Sequence, residues 1–409
     1  MELLDEFPRG LSVSVVVGEN GSGKSTFLRN VAKQLRSHRD VYAISNTVYD
    51  KFANLRGITR LSASSGRKLP SKILKDAIKS ASQEGIARLR TISTTLAYCG
   101  YQGKIGLSVR MPPPSEYSAD IGGPSAQTSR IERNVFDRLE GDPQYSALDG
   151  QLLAEIRSLV SLLVYETSPI IKWLDFSDGD AFRSSIDQQY VRLVEWESLL
   201  KSVGAISGID LFIRKLDGVS LPLNGASSGQ LTLISSFVFL AATVKNNSIV
   251  LVDEPENSLH PNWQKEYVEK LLGLLAYREP TIIIATHAPI VVSGAQSVQD
   301  ADVRILGLNN GDLSPIERHG VLGGSESLEE TLFQAFGTVT PANHFVSEVL
   351  ANEIAKIRNG ASSASTVEDL VTRMKGGSFD ELQLHFFDDI VQLAIKVERE
   401  RTNVRADDE

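Results

Sequence analysis

The chain has 409 residues, of which 42% are hydrophobic and 23% are charged, a balance typical of a globular protein with about two or three compact units. A single cysteine, Cys99, excludes an internal disulfide framework and a thiolate metal cluster, and it suits a reducing compartment. The net charge of −9 argues against a surface that is basic throughout. No apolar run approaches the ~20 residues that cross a bilayer, so we expect a cytoplasmic protein with no membrane contact.

Basic residues concentrate in segment 51–110. This segment holds twelve Lys and Arg residues against two acids, Asp76 and Glu84, so its charge is +10 and the rest of the chain is −19. One interpretation is a solvated face, or a surface neutralised by acidic neighbours in the fold. The other is a patch that binds a phosphate backbone or an acidic partner. Aromatic residues do not interleave with the charges, so base stacking is not indicated.

The first part of the chain predicts a strand, a loop and a helix in succession. Residues 11–17 are rich in valine, and apolar residues recur at helical spacing over 27–35. Residues 41–45 predict another short strand. The pattern over 55–92 is mostly helical and basic, and 94–110 alternates weakly around Gly100 and Gly103, which predicts a bent β-hairpin.

The later part of the chain continues this alternation. Residues 209–223 predict a hairpin, and 229–244 predict an apolar helix. Two short apolar runs, 248–252 and 281–285, predict buried strands. Helical spacing dominates from about residue 343 onward. Strands that alternate with helices place the chain in the α/β class.

The clearest motif is Gly18–Ser25, which has the spacing G-x-x-x-x-G-K-[ST]. Glycines let backbone N–H groups converge on phosphate oxygens, and the following helix N-terminus adds positive potential. Lys24 would neutralise the β- and γ-phosphates, and Ser25 would ligate Mg²⁺. The predicted phosphate-binding residues are Gly18, Asn20, Gly21, Ser22, Gly23, Lys24, Ser25 and Thr26.

Polar residues also follow both later buried strands. Asp253 and Glu254 end the strand 248–252, and His287 follows the strand 281–285. The carboxyl ends of parallel strands line the ligand crevice of an α/β sheet. We expect Asp253 to hold Mg²⁺, Glu254 to polarise the attacking water, and His287 to bond the γ-phosphate and sense its hydrolysis.

A third anion site is predicted where a helix opens at Ala226–Gln230. Small residues and a free helix N-terminus can bind an anion, although on their own the same residues more often form an ordinary helix cap. The candidate residues here are Ser227, Ser228, Gly229 and Gln230.

The motifs occur in the order that defines the ABC-type ATPase superfamily, which the chain resembles. Walker A, signature, Walker B, D-loop and H-loop would be Gly18–Ser25, Ala226–Gln230, Val250–Glu254, Glu256–Pro261 and His287. The resemblance implies ATP and Mg²⁺ as cofactors and a head-to-tail homodimer linked by ATP. The signature of one copy would then cap the γ-phosphate bound by the other. The usual L-S-G-G-Q is changed here, because Ala replaces Leu and Ser replaces the first Gly.

Within that superfamily the chain is similar to the SMC/OLD-like group, which includes PtuA-type ATPase subunits of bacterial anti-phage systems. The similarity rests on the amino-acid sequences of 251–261 and 41–52 and on "SSG" in the signature. Ser227 follows Lys24 by 203 positions, which is longer than the spacing of transporter subunits. The residue that contacts Mg²⁺ from the family's Gln loop is not identified; Gln102, or the strand end at Ser45 and Asn46, could supply it.

The expected architecture is one ABC-type P-loop head with a large helical insertion and a helical C-terminal appendage. Residues 1–50 and 205–340 would form the ATPase head, 51–204 a mainly helical, basic insertion with a β-hairpin near 94–110, and 341–409 the appendage.

Two functions remain open at this point. In the first, the protein is an ATPase subunit that regulates an effector such as a nuclease or toxin in phage defence. In the second, it is an SMC/RecF-like ATPase that acts on duplex DNA through segment 51–110. The sequence shows no H-N-H-like cluster, which favours an effector on another chain.

Overall fold

The protein is described by a computed structural model. It describes residues 10–47, 49–62, 69–84, 87–112, 133, 135–141, 145, 149–165, 171–176, 185–298, 301–309, 311–316, 328–337, 344–377 and 381–407. The strands are β1 (Ser12–Val17), β2 (Val41–Ser45), β3 (Thr59–Ser62), β4 (Tyr101–Arg110), β5 (Lys172–Asp175), β6 (Gly208–Lys215), β7 (Ser220–Pro222), β8 (Ile249–Asp253), β9 (Thr281–Thr286), β10 (Asp302–Asn309) and β11 (Asp312–Pro315). The helices are α1 (Lys24–Leu35), α2 (Leu69–Glu84), α3 (Ala87–Tyr98), α4 (Gly150–Tyr165), α5 (Ser185–Glu195), α6 (Glu197–Ser202), α7 (Ser228–Thr243), α8 (Pro261–Leu275), α9 (Pro289–Gln296), α10 (Leu328–Phe336), α11 (His344–Arg358), α12 (Ala364–Gly376) and α13 (Glu381–Asp407).

The chain divides into two compact units. One unit combines Met1–Ser64 with Lys245–Glu409, and the other is Ser65–Val244. The predicted boundaries differ from this division, because 205–244 were expected in the ATPase head and lie instead in the same unit as the preceding segment. The prediction of a mixed α/β fold is confirmed.

A seven-stranded sheet forms the centre of the first unit, in the order β11-β10-β1-β9-β8-β2-β3. All neighbouring pairs are parallel except β10 and β11. Every residue of β1, β2, β8 and β9 is buried, as expected of parallel strands that are covered on both faces. The carboxyl ends of β1, β8 and β9 therefore lie at one edge of the sheet, where ligands bind in such folds.

Helix α1 packs on this sheet through one apolar stripe. Leu28, Val31, Ala32 and Leu35 are buried at helical spacing, and they share a core cluster with residues of β1, β2, β8 and β9. Burial of that stripe fixes where the helix begins, directly after the loop that leaves β1. The packing of α1 therefore positions the phosphate-loop motif at the sheet edge.

The second unit contains a four-stranded antiparallel sheet in the order β5-β4-β6-β7. The expected hairpin over 94–110 is wrong, because α3 extends to Tyr98 and Tyr101–Arg110 is a single strand. Gly100, with φ 83°, makes the turn between them. Gly103 is not a turn residue: a Cβ there would lie 2.1 Å from Ser93 Oγ, so this glycine permits close contact between strand and helix.

Another difference from the prediction concerns β3, the outermost strand on one side of the seven-stranded sheet. Residues of 55–92 were expected to be mostly helical, but Thr59–Ser62 form a strand parallel to β2. Only the last two residues of this strand are buried, so its sequence lacks the continuous apolar run that marks the central strands.

The C-terminal helices form an apolar core of their own. Buried residues of α11, α12 and α13 meet in one cluster, which includes Leu350, Val371 and Phe387. Phe333 of α10 packs against this cluster. In the part of the chain that the structure describes, no helix combines the length and apolar character needed to span a bilayer.

Candidate nucleotide site

The phosphate-loop motif lies between the end of β1 and the start of α1. Gly21 and Gly23 have φ angles of 86° and 96°, which only glycine adopts without strain. The loop is closed by a hydrogen bond from the Ser22 backbone N–H to the Glu19 carbonyl at 3.1 Å. The other predicted phosphate-binding residues occupy this loop or the first turn of α1, namely Gly18, Asn20, Lys24, Ser25 and Thr26.

Lys24 has its ammonium group folded back over this loop. Its Nζ donates to the Gly18 carbonyl at 2.8 Å and to the Glu19 carbonyl at 2.9 Å, and the residue is 5% exposed. Burial lowers the pKa of Lys24, and the charges of Glu254 and Glu256 oppose that shift. The ammonium group therefore donates to two carbonyl oxygens of the loop, and it could exchange them for the oxygens of a bound phosphate.

Asp253 ends β8 directly beside the loop. Ser25 Oγ donates to Asp253 Oδ1 at 3.0 Å, and Asp253 is 0% exposed. The second oxygen, Oδ2, is buried and accepts no hydrogen bond from the described residues. Burial raises the pKa of Asp253 to about 6, with smaller raising contributions from Glu254 and Glu256. A hydroxyl and a carboxylate with one free buried oxygen are ligands that Mg²⁺ accepts, so these residues fit that ion.

Glu254 follows in an unusual backbone conformation. Its φ is 51°, which is rare for a residue with a side chain, and its N–H donates to the Ala285 carbonyl of β9 at 2.9 Å. Asn257 Nδ2 donates to Glu254 Oε2 at 3.0 Å and to the Asn46 carbonyl at 3.3 Å. The carboxylate is thereby held at the sheet edge, and backbone strain of this kind is often found at functional sites.

His287 follows β9 and faces two carboxylates. Its Nδ1 lies 3.5 Å from Glu254 Oε1 and 3.1 Å from Glu256 Oε1. Glu256 is buried and also accepts hydrogen bonds from Thr286 Oγ1 and from the His287 backbone N–H. The structure therefore brings together the predicted residues Lys24, Ser25, Asp253, Glu254 and His287 within one unit.

The sequence reasoning did not identify Glu256 and Asn257 as individual site residues. Both lie in the predicted D-loop, so the motif located them in the sequence. The motif did not indicate which residues they would contact. Of the Gln-loop candidates, Asn46 lies at this edge, and its N–H donates to the Asp253 carbonyl at 3.2 Å. Gln102 lies in β4, in the other compact unit.

The predicted signature lies at the N-terminus of α7, in the unit Ser65–Val244. Ser227 and Gln230 form a capping box, in which each side chain bonds the other residue's backbone N–H. Gln230 Oε1 also accepts from Tyr101 Oη at 2.8 Å, and its Nε2 donates to the Cys99 carbonyl at 3.4 Å. The Gln230 side chain is thus engaged inside its own unit, whereas Ser227 and Ser228 are exposed.

Among the described residues of the basic segment, at least four cations are paired with acidic residues from elsewhere in the chain. Arg67 and Lys68 lie outside the described residues. The pairing leaves less positive charge for a phosphate backbone than the sequence alone indicates. The pairs are Arg60 with Asp50, Lys75 with Glu197 at 2.8 Å, Lys104 with Asp175 at 3.0 Å and Arg110 with Asp210 at 2.8 Å.

Comparison with known proteins gives a family match over part of the chain. Residues 135–293 match the family described as "AAA domain, putative AbiEii toxin, Type IV TA system". The matched range includes the signature, Walker B and His287 but not the phosphate loop. Protein ea59 of Escherichia phage lambda is 37% identical over 100 residues, which are 24% of this chain. The match spans only 19% of the length of that relative.

Two solved structures of SMC head domains also align. The head of Pyrococcus furiosus, with an extended coiled coil and bound to the C-terminal domain of ScpA, shows 13% identity and a TM-score of 0.28 over 76% of this chain and 90% of that chain. The head of Pyrococcus yayanosii, with a coiled coil and joint, shows 13% identity and a TM-score of 0.21 over 65% and 58%. TM-scores this low do not establish a shared arrangement. The family match and the assembled motifs together support a P-loop ATPase domain in this chain.

Proposed function

We propose that the protein is an ABC-type ATPase subunit that binds and hydrolyses ATP with Mg²⁺. One observation carries this proposal: Lys24 and Ser25 of the phosphate loop meet Asp253, Glu254 and His287 at one edge of a parallel sheet. These residues are the set that phosphoryl transfer to water requires, namely a phosphate cradle, metal ligands and a group that orients water.

The contacts of each residue suggest its role in hydrolysis. Lys24 would exchange its two carbonyl partners for phosphate oxygens, and Ser25 and Asp253 would hold Mg²⁺, which supplies positive charge to the phosphates. Glu254 would accept a proton from the attacking water. His287, whose Nδ1 lies 3.5 Å from Glu254 Oε1, would bond the γ-phosphate and sense its hydrolysis.

The signature contributes through a second copy of the chain in this proposal. Ser227 and Ser228 are exposed at the N-terminus of the 16-residue helix α7, which favours a bound anion. In a head-to-tail homodimer this helix end would cap the γ-phosphate bound by the other copy. Gln230 would support the cap from inside and would not touch the nucleotide.

We further propose that the ATP cycle regulates an effector protein, such as a nuclease or toxin, in a bacterial anti-phage complex in the cytoplasm. The amino-acid sequences of the motifs support this role. The matched family also supports it, because its description names a toxin and a toxin–antitoxin system. The alternative is an SMC/RecF-like ATPase on duplex DNA. The ion pairs of Lys75, Lys104 and Arg110 favour the effector role, because these cations already have acidic partners.

Nucleotide titration of the purified protein tests the ATPase proposal. Lys24→Ala should abolish binding of a fluorescent ATP analogue, because the charge-assisted phosphate contact is lost. Lys33→Ala is the matched control, since Lys33 is an exposed lysine on the same helix. Unchanged affinity in Lys24→Ala would refute the phosphate-loop assignment.

Purification of the tagged protein with its neighbouring genes intact tests the biological role. A stoichiometric protein partner supports the effector proposal. A protein that emerges alone, and whose turnover is stimulated by duplex DNA with a steep dependence on salt, would support the DNA-acting alternative instead.

A further inference from the structure

Helix α13 has two apolar faces side by side, and only one of them is fully buried. Phe387 lies on the buried face and is 0% exposed in the core of the C-terminal helices. On the adjacent face Phe386 is 40% exposed and Leu393 is 44% exposed. The neighbouring helix α12 packs elsewhere, since its Lys375 pairs with Asp388, which lies almost opposite Phe386 around the helix. A helix in one cluster needs only one apolar stripe, so the second face remains available for another contact.

The second face consists of Phe386, Ile390, Leu393 and Val397, and we call it the α13 seam. Its residues follow one another at intervals of four, three and four, which is the alternation of heptad a and d positions in a coiled coil. Ile390 and Val397 also pack partly on the C-terminal core, whereas the other two do not. The seam covers about 16 Å of helix, from the rise of 1.5 Å per residue. Its spacing therefore fits a second helix better than a globular surface.

Two exposed charges flank the seam along one side. Asp389 directly precedes Ile390, and Lys396 directly precedes Val397, so both occupy heptad g positions, where coiled coils form ion pairs between helices. Neither charge has an ion-pair partner among the residues that the structure describes. Seven residues separate them, about 10 Å along the helix, which is too far for them to pair within one chain.

An antiparallel pair of two identical α13 helices satisfies both the seam and the charges. When Ile390 of one copy packs on Leu393 of the other, the first and last residues of the two seams also meet, and the two-fold axis repeats both layers. In the same register Asp389 of one copy faces Lys396 of the other, again twice. A parallel pair would place each charge at the level of its own counterpart, so the charges would stay unpaired.

We propose that α13 is a self-association surface, through which two copies of the chain pair antiparallel along the α13 seam without nucleotide. The occupant is a second copy because the flanking charges complement themselves across the two-fold axis. The contact goes beyond the ATP-linked homodimer of the proposed function, since it uses neither the phosphate loop nor the signature. Two different self-contacts on one chain would join ATP-linked dimers into larger assemblies.

Sedimentation equilibrium of the full chain, free of nucleotide and in EDTA, measures this contact. The seam is short, so we expect a reversible dimer with a Kd of about 10–100 μM, which dissociates at the dilution used for native mass measurement. Leu393→Glu should weaken the dimer about tenfold or more, because a charge replaces a side chain that the pairing buries. Gln392→Glu is the matched control, since it adds the same charge at an exposed position outside the seam.

Exchange of the flanking charges tests the antiparallel orientation. Asp389→Lys and Lys396→Asp should each weaken self-association, because like charges would then face each other across the axis. An equimolar mixture of the two variants should recover the dimer, since every facing pair in the mixed dimer has opposite charges. Arg399→Asp, which changes an exposed residue of the same helix outside the seam, should self-associate as the wild type does.

Three results would overturn the proposal. The first is a wild type that stays monomeric up to about 300 μM, which would leave the seam to a different protein. The second is a dimer that Leu393→Glu does not weaken although its melting temperature is that of the wild type. The third is a mixture of the two charge variants that stays monomeric. Because the protein is free of nucleotide throughout, failure of the ATPase proposal would leave these results unchanged.

Discussion

Ser25 Oγ donates a hydrogen bond to Asp253 Oδ1 at 3.0 Å, across 228 positions of the sequence. The contact joins the first turn of α1 to the end of β8. In the sheet, β9 lies between β8 and β1, the strand that precedes α1, and it brings His287 to the same edge. Parallel pairing of β1 with β9 and of β9 with β8 therefore assembles the candidate site from three distant segments.

Glu254→Gln should separate ATP binding from hydrolysis. The amide cannot accept a proton from water, so we expect turnover to fall by about 100-fold or more while nucleotide affinity stays near that of the wild type. In the proposed dimer the unhydrolysed ATP should keep the two copies together, which native mass measurement would detect. Turnover as fast as that of the wild type would rule out Glu254 as the general base.

Binding of Mg²⁺ should weaken as the pH falls through about 6. Burial raises the pKa of Asp253 to about 6, and a metal ligand must be ionised, so protons compete with Mg²⁺ below that pH. Titration of Mg²⁺-dependent nucleotide binding between pH 5 and pH 8 measures this, and proton release on binding should increase as the pH falls through about 6.

The same shift affects the stability of the nucleotide-free protein. The folded-state pKa of Asp253 lies above the ordinary value of 3.8 for an aspartate, so ionisation of this group costs folding free energy as the pH rises from about 4 to about 6. Asp253→Asn should therefore melt at a higher temperature than the wild type at pH 7.5 and should lose the pH-dependent Mg²⁺ effect. A lower melting temperature would show that the buried charge is better compensated than its contacts indicate.

Local patterns predicted the parts of the site that depend on short stretches of chain. The phosphate loop needs glycines at two left-handed positions, and the central strands need continuous apolar runs, so both are visible in the sequence. The contact between Glu256 and His287 arises because β8 and β9 are neighbours in the sheet. No local sequence pattern predicts that two particular strands will be neighbours. Gly103 misled the prediction because a glycine that permits close packing resembles one that makes a turn.

Gly294→Ala should destabilise the protein more than any exposed glycine substitution. A Cβ at Gly294 of α9 would lie 1.9 Å from the Lys265 carbonyl of α8, so the two helices would have to separate. We expect a loss of about 2–4 kcal/mol in the free energy of unfolding. Gly273→Ala on α8 is the matched control, because a Cβ there meets nothing within 4 Å and should be neutral or stabilising. Equal melting temperatures for the two variants would show that α8 and α9 do not pack as described.

Tyr101→Phe should impair the signature without touching the phosphate loop. Tyr101 is 2% exposed, and its hydroxyl donates to Gln230 Oε1 at 2.8 Å, so its loss leaves the capping box with one fewer support. In the proposed dimer the loosened N-terminus of α7 would cap the γ-phosphate of the other copy less well. We expect normal binding of the fluorescent ATP analogue and a several-fold loss of ATP-dependent dimer and of turnover, with Tyr277→Phe on an exposed tyrosine as control. Loss of nucleotide binding in Tyr101→Phe would contradict this division of roles, because the proposed phosphate-binding residues Lys24 and Ser25 lie in the other compact unit.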